Sequence, residues 1–498
     1  MEQLFFYNFS GRNLPDYSRT DFDSMLVLNG TILKTGFQLP YPSGPNVKAI
    51  DLKGATLFGG FSDAHVHFTQ TGISMLGVDV EEARSISEVI ELLKKAQGHV
   101  ILGFNLQEQS LRENRVPTSN ELDQAAKDRI LWLARKDLHS AVLNGKALAW
   151  ALRIKPDFKH QNGFICGEDY NQLSYLLVNE LPDEMIEEGM KLASDHCLKK
   201  GVVFIHALEG SSSSTREPSL AWNFLKKGPL DGIIYHQSTD PSFAQKNKWP
   251  GFGGCLLIDG SIGTRTAALN EPYADEPGGS GKLYMSPEEL ETLLKKSRNS
   301  RLQLAVHAIG DRALDMVTSS YLWAAQKLGI QPLPDRIEHF ILPGPKAIKA
   351  ARESGAMICI QPAFDFFWGG SNGLYAQRLG KERAMNCNPF KTLLDFGIPL
   401  AAGSDSPVTP VDPLLSIHAL VNHSNPDEQI DLNSALSLHI VEPFRFIGKE
   451  KTRGHLKVGY KADFVCLEDD PFMIPEARIK SIRISQTYIN GLPVGERS

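Results

Sequence analysis

Cysteine is scarce in this sequence, and no two cysteines lie close together. The chain has 6 cysteines among 498 residues, with none in a Cys-x-x-Cys pair. A disulfide framework, or a zinc module built from four cysteines, requires dense and short spacings, so both are excluded. We therefore expect reduced thiols and a cytoplasmic protein.

Long apolar runs and a strong excess of one charge are also missing. No uninterrupted apolar segment approaches the roughly 20 residues that span a bilayer, and residues 1–9 lack the basic start of a secretory signal. The formal net charge is −6, with acidic and basic residues mixed along the chain. Because no basic stripe offers a footprint for phosphates, we expect neither a membrane nor a nucleic acid as a partner.

The sequence does have the composition of a folded protein and a repeating pattern of strands. Hydrophobic residues make up 42% and charged residues 22%, which is enough for a substantial core. Eight β-rich runs alternate with helix-length segments, which is typical of a parallel α/β sheet or a (β/α)8 TIM-like barrel. The runs are residues 57–67, 202–206, 232–236, 254–258, 303–307, 336–340, 357–361 and 399–404.

The segments between and around these runs predict the domain organisation. Ser286-Pro287-Glu288-Glu289 has the capping residues of a helix start, which supports a true crossover helix. Residues from about 77 to 192 are too many for one crossover and contain strand-like runs, so they predict an inserted subdomain. The β-rich chain ends predict one small β-sandwich of residues 1–61 and 441–498, beside a barrel of residues 62–440.

His65 and His67 lie two residues apart in an apparent strand. The pleat of a strand turns alternate side chains to the same side, so both imidazoles point one way. On a barrel strand that side can be the interior, where a metal could bind. A chance His-x-His pair is an equal alternative. The position of the pair relative to other candidate ligands must therefore decide between the two interpretations.

Further residues of the ligand type end other apparent strands, namely His307, His339 and Asp405. Active sites of (β/α)8 barrels are assembled from the carboxyl ends of several strands. Each histidine alone has the alternative of a satisfied core side chain, but four imidazoles and a carboxylate with this placement favour a metal site. Mixed nitrogen and oxygen ligands suit zinc, with manganese, iron or nickel as alternatives.

These motifs resemble the amidohydrolase superfamily, and more closely its YtcJ-like branch, which includes N-substituted formamide deformylases. The resemblance covers most of the chain. It rests on His65-Val66-His67 and on residues 259–269 (DGSIGTRTAAL), 306–313 (VHAIGDRA), 336–339 (RIEH), 403–408 (GSDSPV) and 459–465 (GYKADFV).

The resemblance implies a role for each matching residue. His65, His67, His307 and His339 would bind metal, and Asp405 would bind metal and shuttle protons. The implied activity is hydrolysis of a carbon–nitrogen bond, in the first place an amide, of a small molecule. A bound divalent ion can lower the pKa of water from about 15.7 to about 7. Asp405 could accept that proton and deliver it to the leaving nitrogen.

The sequence departs from the family at Cys255. Many relatives have a lysine four residues before the Asp-Gly-Ser motif, where its carbamate bridges two metals, but position 255 is cysteine here. A thiolate is a good zinc ligand, and some related D-aminoacylases use a bridging cysteine. The alternative is a small buried hydrophobe in a site with one metal. Both one and two ions therefore stay open.

Further candidates for substrate contact each have a structural alternative; they are His139, Asp259, Arg265, Asp311 and Gln361. Asp259 and Arg265 lie in the loop after the Cys255 strand, where an Asp-Gly turn and a solvated arginine are ordinary features. Asp311 has an ion pair with Arg312 as its alternative. His139 resembles a substrate-pocket position of the family, and Gln361 ends a strand.

Other functions remain in view. Deamination or ester hydrolysis would use the same site, and a catalytically silent ligand-binding barrel is a rival from another class. Residues 369–373 match the Gly-x-Ser-x-Gly elbow of serine hydrolases, but that elbow joins a strand directly to a helix, and an aromatic stretch intervenes here. A loop is the better interpretation. Barrels of this type often associate, so a homo-oligomer is an open expectation.

Overall fold

The structure is a computed structural model that describes residues 3–42, 46–136, 140–212 and 214–495. The strands within these residues are β1 Gln3–Gly11, β2 Phe22–Leu28, β3 Thr31–Gly36, β4 Val47–Gly59, β5 Phe61–Val66, β6 Val78–Asp79, β7 Val100–Leu106, β8 Ile130–Arg135, β9 Ser140–Leu143, β10 Phe164–Cys166, β11 Val202–Glu209, β12 Asp231–His236, β13 Gly251–Leu257, β14 Gln303–Ala308, β15 Arg336–His339, β16 Met357–Ile360, β17 Leu400–Ala402, β18 Phe464–Leu467, β19 Ile484–Ile489 and β20 Leu492–Val494.

The helices follow the same order along the chain. They are α1 Phe68–Leu76, α2 Ile86–Lys94, α3 Ser119–Ala126, α4 Gly145–Ile154, α5 Gly167–Val178, α6 Asp183–Lys199, α7 Arg216–Lys227, α8 Ser242–Asn247, α9 Pro287–Ser300, α10 Asp311–Leu328, α11 Pro345–Ser354, α12 Pro362–Trp368, α13 Leu374–Leu379, α14 Lys381–Met385, α15 Phe390–Asp395, α16 Pro413–Val421, α17 Leu432–Ile440 and α18 Glu442–Arg445, with short 3-10 helices at Glu108–Ser110, Pro426–Glu428 and Glu476–Ser481. Within the described residues, no helix has both the length and the apolar character needed to cross a bilayer.

The chain forms two compact units, residues 1–67 with 194–498, and residues 68–193. The larger unit contains an eight-stranded parallel sheet in the order β5-β11-β12-β13-β14-β15-β16-β17. Most residues of these strands are buried, as expected for a parallel sheet that is covered on both faces. Helices α7 to α11 separate successive strands, which is the alternation that the sequence predicts.

The last barrel strand returns to the first. The N–H of Asp405 donates to the carbonyl of His65 at 2.8 Å, and the N–H of His67 donates to the carbonyl of Ser406 at 3.0 Å. The Asp63 carboxylate adds to this closure because one of its oxygens accepts the N–H of Ser404 at 3.0 Å. The sheet is therefore a nearly closed TIM-like barrel, which confirms the barrel in the predicted fold class.

Each predicted strand differs from its counterpart in the structure by one or more residues at its ends, and two of the runs are also divided or shortened. The run 57–67 is divided into β4 and β5 at Gly60, where a Cβ atom would lie 2.5 Å from Cγ2 of Val203. The chain passes there from the terminal sheet into the barrel. The run 399–404 is shortened to β17, because Gly403 packs so closely on His65 that a Cβ would lie 2.4 Å from its backbone nitrogen.

Local sequence signals explain how the crossovers are built. Ser286 caps α9 by accepting the N–H of Glu289, whose side chain accepts the N–H of Ser286 in return, so the predicted capping box is confirmed. Residues 369–373 lie between α12 and α13, with no strand leading into them. The Gly-x-Ser-x-Gly match is therefore not a nucleophile elbow.

Strands from both chain ends form a second sheet in the larger unit. Its order is β20-β19-β18-β4-β1-β2-β3, with the long β4 parallel to β1 and antiparallel to β18. Phe6, Phe464 and Tyr488 pack edge-on or stacked in its core. The joining of the two ends agrees with the sequence interpretation, although the strands form one continuous sheet rather than two separate ones.

The smaller unit has a sheet and a core of its own. Its five strands have the order β10-β9-β8-β7-β6. Leu93, Leu122 and Leu131 are fully buried in a cluster that involves α2, α3 and this sheet. Asn144 caps α4 and also accepts the N–H of Leu131, so it joins that helix to the sheet.

Candidate metal centre

The carboxyl ends of the barrel strands bring the predicted metal ligands together. Ligand-type atoms of three overlapping groups lie within 4.8 Å of one another inside each group. The groups are His65, His67 and Cys255; Cys255, His307 and His339; and His65, His339 and Asp405.

Asp405 faces both histidines of the first strand. Its Oδ1 atom lies 3.0 Å from Nε2 of His65 and 3.1 Å from Nε2 of His67. Even so, Nε2 of His65 and Oδ1 of Asp405 are buried and have no hydrogen-bond partner of suitable geometry among the described residues. Lone pairs that converge without a mutual hydrogen bond are the arrangement that a cation satisfies.

Cys255 lies between the two halves of the cluster. Its Sγ atom is 3.5 Å from Nε2 of His339 and 3.7 Å from Nδ1 of His307. The same sulfur belongs to the group with His65 and His67. A thiolate at this point can contact an ion on either side, so the geometry supports its interpretation as a ligand over that of a buried hydrophobe.

Each of the four imidazoles is held from behind through its second ring nitrogen. The contacts are His65 Nδ1 to Glu338 Oε2 at 2.6 Å, His67 Nδ1 to the Leu208 carbonyl at 3.1 Å, His307 Nε2 to the Gly260 carbonyl at 3.1 Å and His339 Nδ1 to Gln361 Oε1 at 2.7 Å. Since every partner is an oxygen acceptor, the N–H of each ring in its neutral form lies on that side and the lone pair faces the cluster. Imidazoles oriented in this way can bind a metal once the proton on the inner nitrogen has left.

The charges of the cluster also favour a bound cation. Burial raises the pKa of the Cys255 thiol, but the surrounding imidazoles outweigh it and hold that pKa well below the usual range. Burial lowers the pKa of His67, but contacts with Asp405 and Cys255 raise it to about 10. The Cys255 thiolate and the Asp405 carboxylate therefore need a positive charge nearby, which either protonated histidines or a metal ion can supply.

The donor set fits a divalent metal. Nitrogen, sulfur and oxygen donors from the ends of separate strands converge in overlapping groups, and the imidazoles already have the orientation that ligands need. The backbone is also strained where two of these residues lie, because His339 and Asp405 have φ angles of 75° and 58°. Such conformations collect at functional sites.

The sequence profile of the amidohydrolase family matches residues 48–494. The chain belongs to this family. A putative amidohydrolase, YtcJ of Bacillus subtilis (strain 168), is 30% identical over 531 residues, covering 97% of this chain and 98% of the relative. The N-substituted formamide deformylase of Arthrobacter pascens is 20% identical and covers 100% of this chain and 99% of its own length.

Solved structures agree with this assignment. An uncharacterized metal-dependent hydrolase from Pyrococcus horikoshii OT3 superimposes with a TM-score of 0.79 and 26% sequence identity, covering 95% of this chain and 99% of the other. The family and its structural relatives identify the chain as a hydrolase. The resemblance to the YtcJ-like branch is confirmed.

In this amidohydrolase the weaker candidate residues have varied surroundings. Asp259 is fully buried and accepts the N–H groups of Ala268, Ile309 and Gly310 at 2.8 to 3.0 Å. It joins the loop after β13 to the end of the strand that carries His307. These contacts give Asp259 a structural task at the edge of the metal centre.

The other substrate candidates lie in loops or helix starts. The Arg265 guanidinium is held by both oxygens of Asp275, at 3.0 and 2.7 Å. Asp311 begins α10 and accepts the N–H of Asn270 at 2.9 Å. Gln361 contacts the metal centre through His339, as described above. His139 lies outside the described residues.

Glu338 was not predicted as a site residue, although it is part of the Arg336-Ile337-Glu338-His339 motif. It is fully buried and is the partner of His65. The available signal was the period-2 spacing, which puts Arg336 and Glu338 on the same side of β15. An arginine and a glutamate on one side of a barrel strand indicate a buried ion pair, because these residues are almost never fully buried unless they are paired.

Proposed function

We propose that this amidohydrolase cleaves the carbon–nitrogen bond of a small-molecule amide with water. The observation that carries the proposal is the position of Asp405, whose Oδ1 atom lies within 3.1 Å of both His65 Nε2 and His67 Nε2 at the barrel mouth. A carboxylate there can exchange protons with a water beside it.

The metal in the proposal is zinc, with two ions as the preferred number, and Cys255 would be one of the ligands. His65, His67 and Asp405 would hold one ion, and His307 and His339 would hold the other. Imidazole, thiolate and carboxylate are common zinc donors. When bound, a divalent ion supplies a Lewis acid that lowers the pKa of a neighbouring water to about 7.

The side chains perform the proton transfers and the positioning. We assign to Asp405 the acceptance of a proton from the attacking water and its delivery to the leaving nitrogen, so that one carboxylate serves both half-reactions. Gln361 and Glu338 keep His339 and His65 in the orientation that the site needs. The burial of Asp405 and His65 excludes bulk water from their contact.

The relative from Arthrobacter pascens suggests which amides to test first, because its name describes deformylation of N-substituted formamides. We extend that chemistry to this chain as part of the proposal. The proposal includes a cytoplasmic setting, in keeping with six free thiols.

The experiment combines metal analysis with a substrate panel. Purified protein is analysed for bound metal, stripped with a chelator, reconstituted with zinc, and assayed with N-formyl and N-acyl amides beside ester and heterocyclic amine analogues. We expect metal-dependent turnover of amides that disappears on stripping and returns with zinc. A folded chain that neither binds nor regains metal would support the silent ligand-binding barrel, and preference for esters or amines would reassign the bond.

A further inference from the structure

Arg336 and Glu338 form a buried ion pair directly behind His65. The Nε atom of Arg336 contacts Glu338 Oε1 at 2.5 Å, and its Nη2 atom contacts Oε2 at 2.8 Å. Glu338 Oε2 also accepts the Nδ1–H of His65 at 2.6 Å. All three side chains are fully buried. The carboxylate is thus shared between a fixed cation and a predicted ligand.

The guanidinium of Arg336 is held in place by further contacts. Its Nη2 donates to the carbonyl of Ala64 at 2.8 Å, one residue before His65. Its Nη1 lies 3.1 Å from Nδ1 of His206, and the group lies 4.8 Å from the ring centroid of Tyr235. Arg336 therefore holds both the backbone next to His65 and the carboxylate that binds its ring.

Glu338 differs in charge from the acceptors behind the other three histidines. His67 and His307 are held by backbone carbonyls, and His339 is held by the amide of Gln361. A carboxylate that accepts the Nδ1–H of an imidazole makes the opposite nitrogen more basic, which strengthens it as a ligand. Burying that carboxylate is costly unless a cation accompanies it, and Arg336 is that cation.

We propose that Glu338, fixed by Arg336, is a positioning residue that sets the tautomer of His65 and thereby the affinity of the centre for metal. This inference rests on the proposed function, since it concerns the same metal centre. Neither residue contacts the proposed reacting atoms. Their effect reaches the centre through their contacts with the ring of His65 and with the backbone before it.

The substitution Glu338→Gln tests the tautomer directly. Both oxygens of Glu338 accept N–H groups of Arg336, so the NH2 group of a glutamine meets an Arg336 donor in either orientation. This conflict and the loss of the negative charge weaken the acceptor behind Nδ1–H of His65, and a proton that moves to Nε2 blocks metal binding there. We expect the zinc Kd, measured by competition with a chromophoric chelator, to rise about 10- to 100-fold, and the visible absorption bands of the cobalt(II)-loaded protein to shift.

The double substitution Arg336→Met with Glu338→Gln gives an independent readout. Removing both charges leaves no unpaired buried ion, so this variant is expected to fold even if the single variant does not. With Arg336 gone, the amide oxygen is free to turn toward Nδ1–H of His65, as Gln361 does for His339. We expect a zinc Kd between those of the wild type and Glu338→Gln.

Asp335→Asn is the matched control. Asp335 is a neighbouring buried carboxylate, paired with Arg298 at 2.6 Å and bonded to Ser297 and to the N–H of Leu304. We expect Asp335→Asn to lower the free energy of unfolding and to leave the zinc Kd within about twofold of the wild type.

Each outcome of these measurements decides something. A wild-type zinc Kd retained by Glu338→Gln and by the double variant would overturn the inference while the proposed function stands. A double variant that binds no tighter than a folded Glu338→Gln protein would overturn the tautomer account. A wild-type protein that binds no metal would overturn the proposed function and this inference with it.

Discussion

The Sγ atom of Cys255 lies 3.5 Å from Nε2 of His339, although β14 separates their strands in the sheet. The curvature of the barrel brings side chains of alternate strands into contact at its interior. The same sulfur belongs to a cluster with His65 and His67. Cys255 therefore lies within reach of both groups of candidate ligands.

Cys255→Ala is expected to weaken metal binding more than any change behind the ligands does. The substitution removes a donor that lies near both halves of the cluster, so we expect the zinc Kd of the weaker ion to rise by more than about 100-fold, beyond the loss typical of residues that only hydrogen-bond a ligand. Metal content after dialysis at fixed free zinc, measured by mass spectrometry, checks the result.

A second buried thiol provides the control for that experiment. Cys387 is 1% exposed in an apolar cluster and contacts the carbonyl of Arg383 at 3.7 Å. Cys387→Ala is expected to retain the metal content of the wild type. Equal metal binding by the two alanine variants would remove Cys255 from the ligand set.

Asp405→Asn separates proton transfer from metal binding. An amide keeps an oxygen beside His65 and His67 but cannot accept a proton at neutral pH, so we expect turnover per bound metal to fall about 10²- to 10⁴-fold. The measurement is kcat on the best amide of the substrate panel, with metal content determined on the same sample.

Asp412→Asn is the control for the expected fall in turnover of Asp405→Asn. Asp412 caps α16 through the N–H of Leu415 and pairs with Lys200. Asparagine caps a helix about as well as aspartate, so only the pair with Lys200 is lost, which is expected to cost at most about 1 kcal/mol of stability without lowering turnover. Undiminished turnover of Asp405→Asn would show that this carboxylate does not move the proton.

The barrel and the clustering of the candidate ligands could be predicted from the sequence for related physical reasons. Strands of a parallel barrel are buried on both faces, so they appear as short apolar runs, and most of them end in the residue that reaches the interior. His307, His339 and Asp405 carry that signal individually. Their assembly into one cluster follows once the runs are recognised as neighbouring parallel strands.

The supporting contacts could not be predicted in the same way. Glu338 and His65 are 273 positions apart in the sequence, and their contact depends on how the barrel closes. In the sequence, Gln361 is a strand end that could contact substrate or have a structural role. A single sequence does not show which neighbour its amide contacts. The division of 57–67 at Gly60 likewise depends on packing against Val203.

Asp259→Asn is expected to affect stability rather than substrate binding. Its two carboxylate oxygens accept three backbone N–H groups, and an asparagine would turn an NH2 group against at least one of them. We expect the free energy of unfolding in urea to fall by about 1–3 kcal/mol, with KM unchanged. Asp311→Asn, at a partly exposed helix start, is expected to stay within about 0.5 kcal/mol. A raised KM with unchanged stability would restore Asp259 as a substrate contact.

Acid sensitivity should depend on His439, which lies fully buried between the carbonyl of Ser62 and the hydroxyl of Ser416. Burial lowers its pKa to about 4, whereas an unfolded chain protonates histidine near pH 6.5. The stabilisation of the folded state by neutral His439 is therefore complete above about pH 6.5. It is lost as the pH falls toward 4, by at most about 3 kcal/mol. His439→Gln removes that titration, so the stability difference between wild type and variant, measured by urea unfolding in excess chelator, is expected to shrink from pH 7 to pH 5. Parallel stability curves over that interval would show that His439 is not protonated differently in the two states.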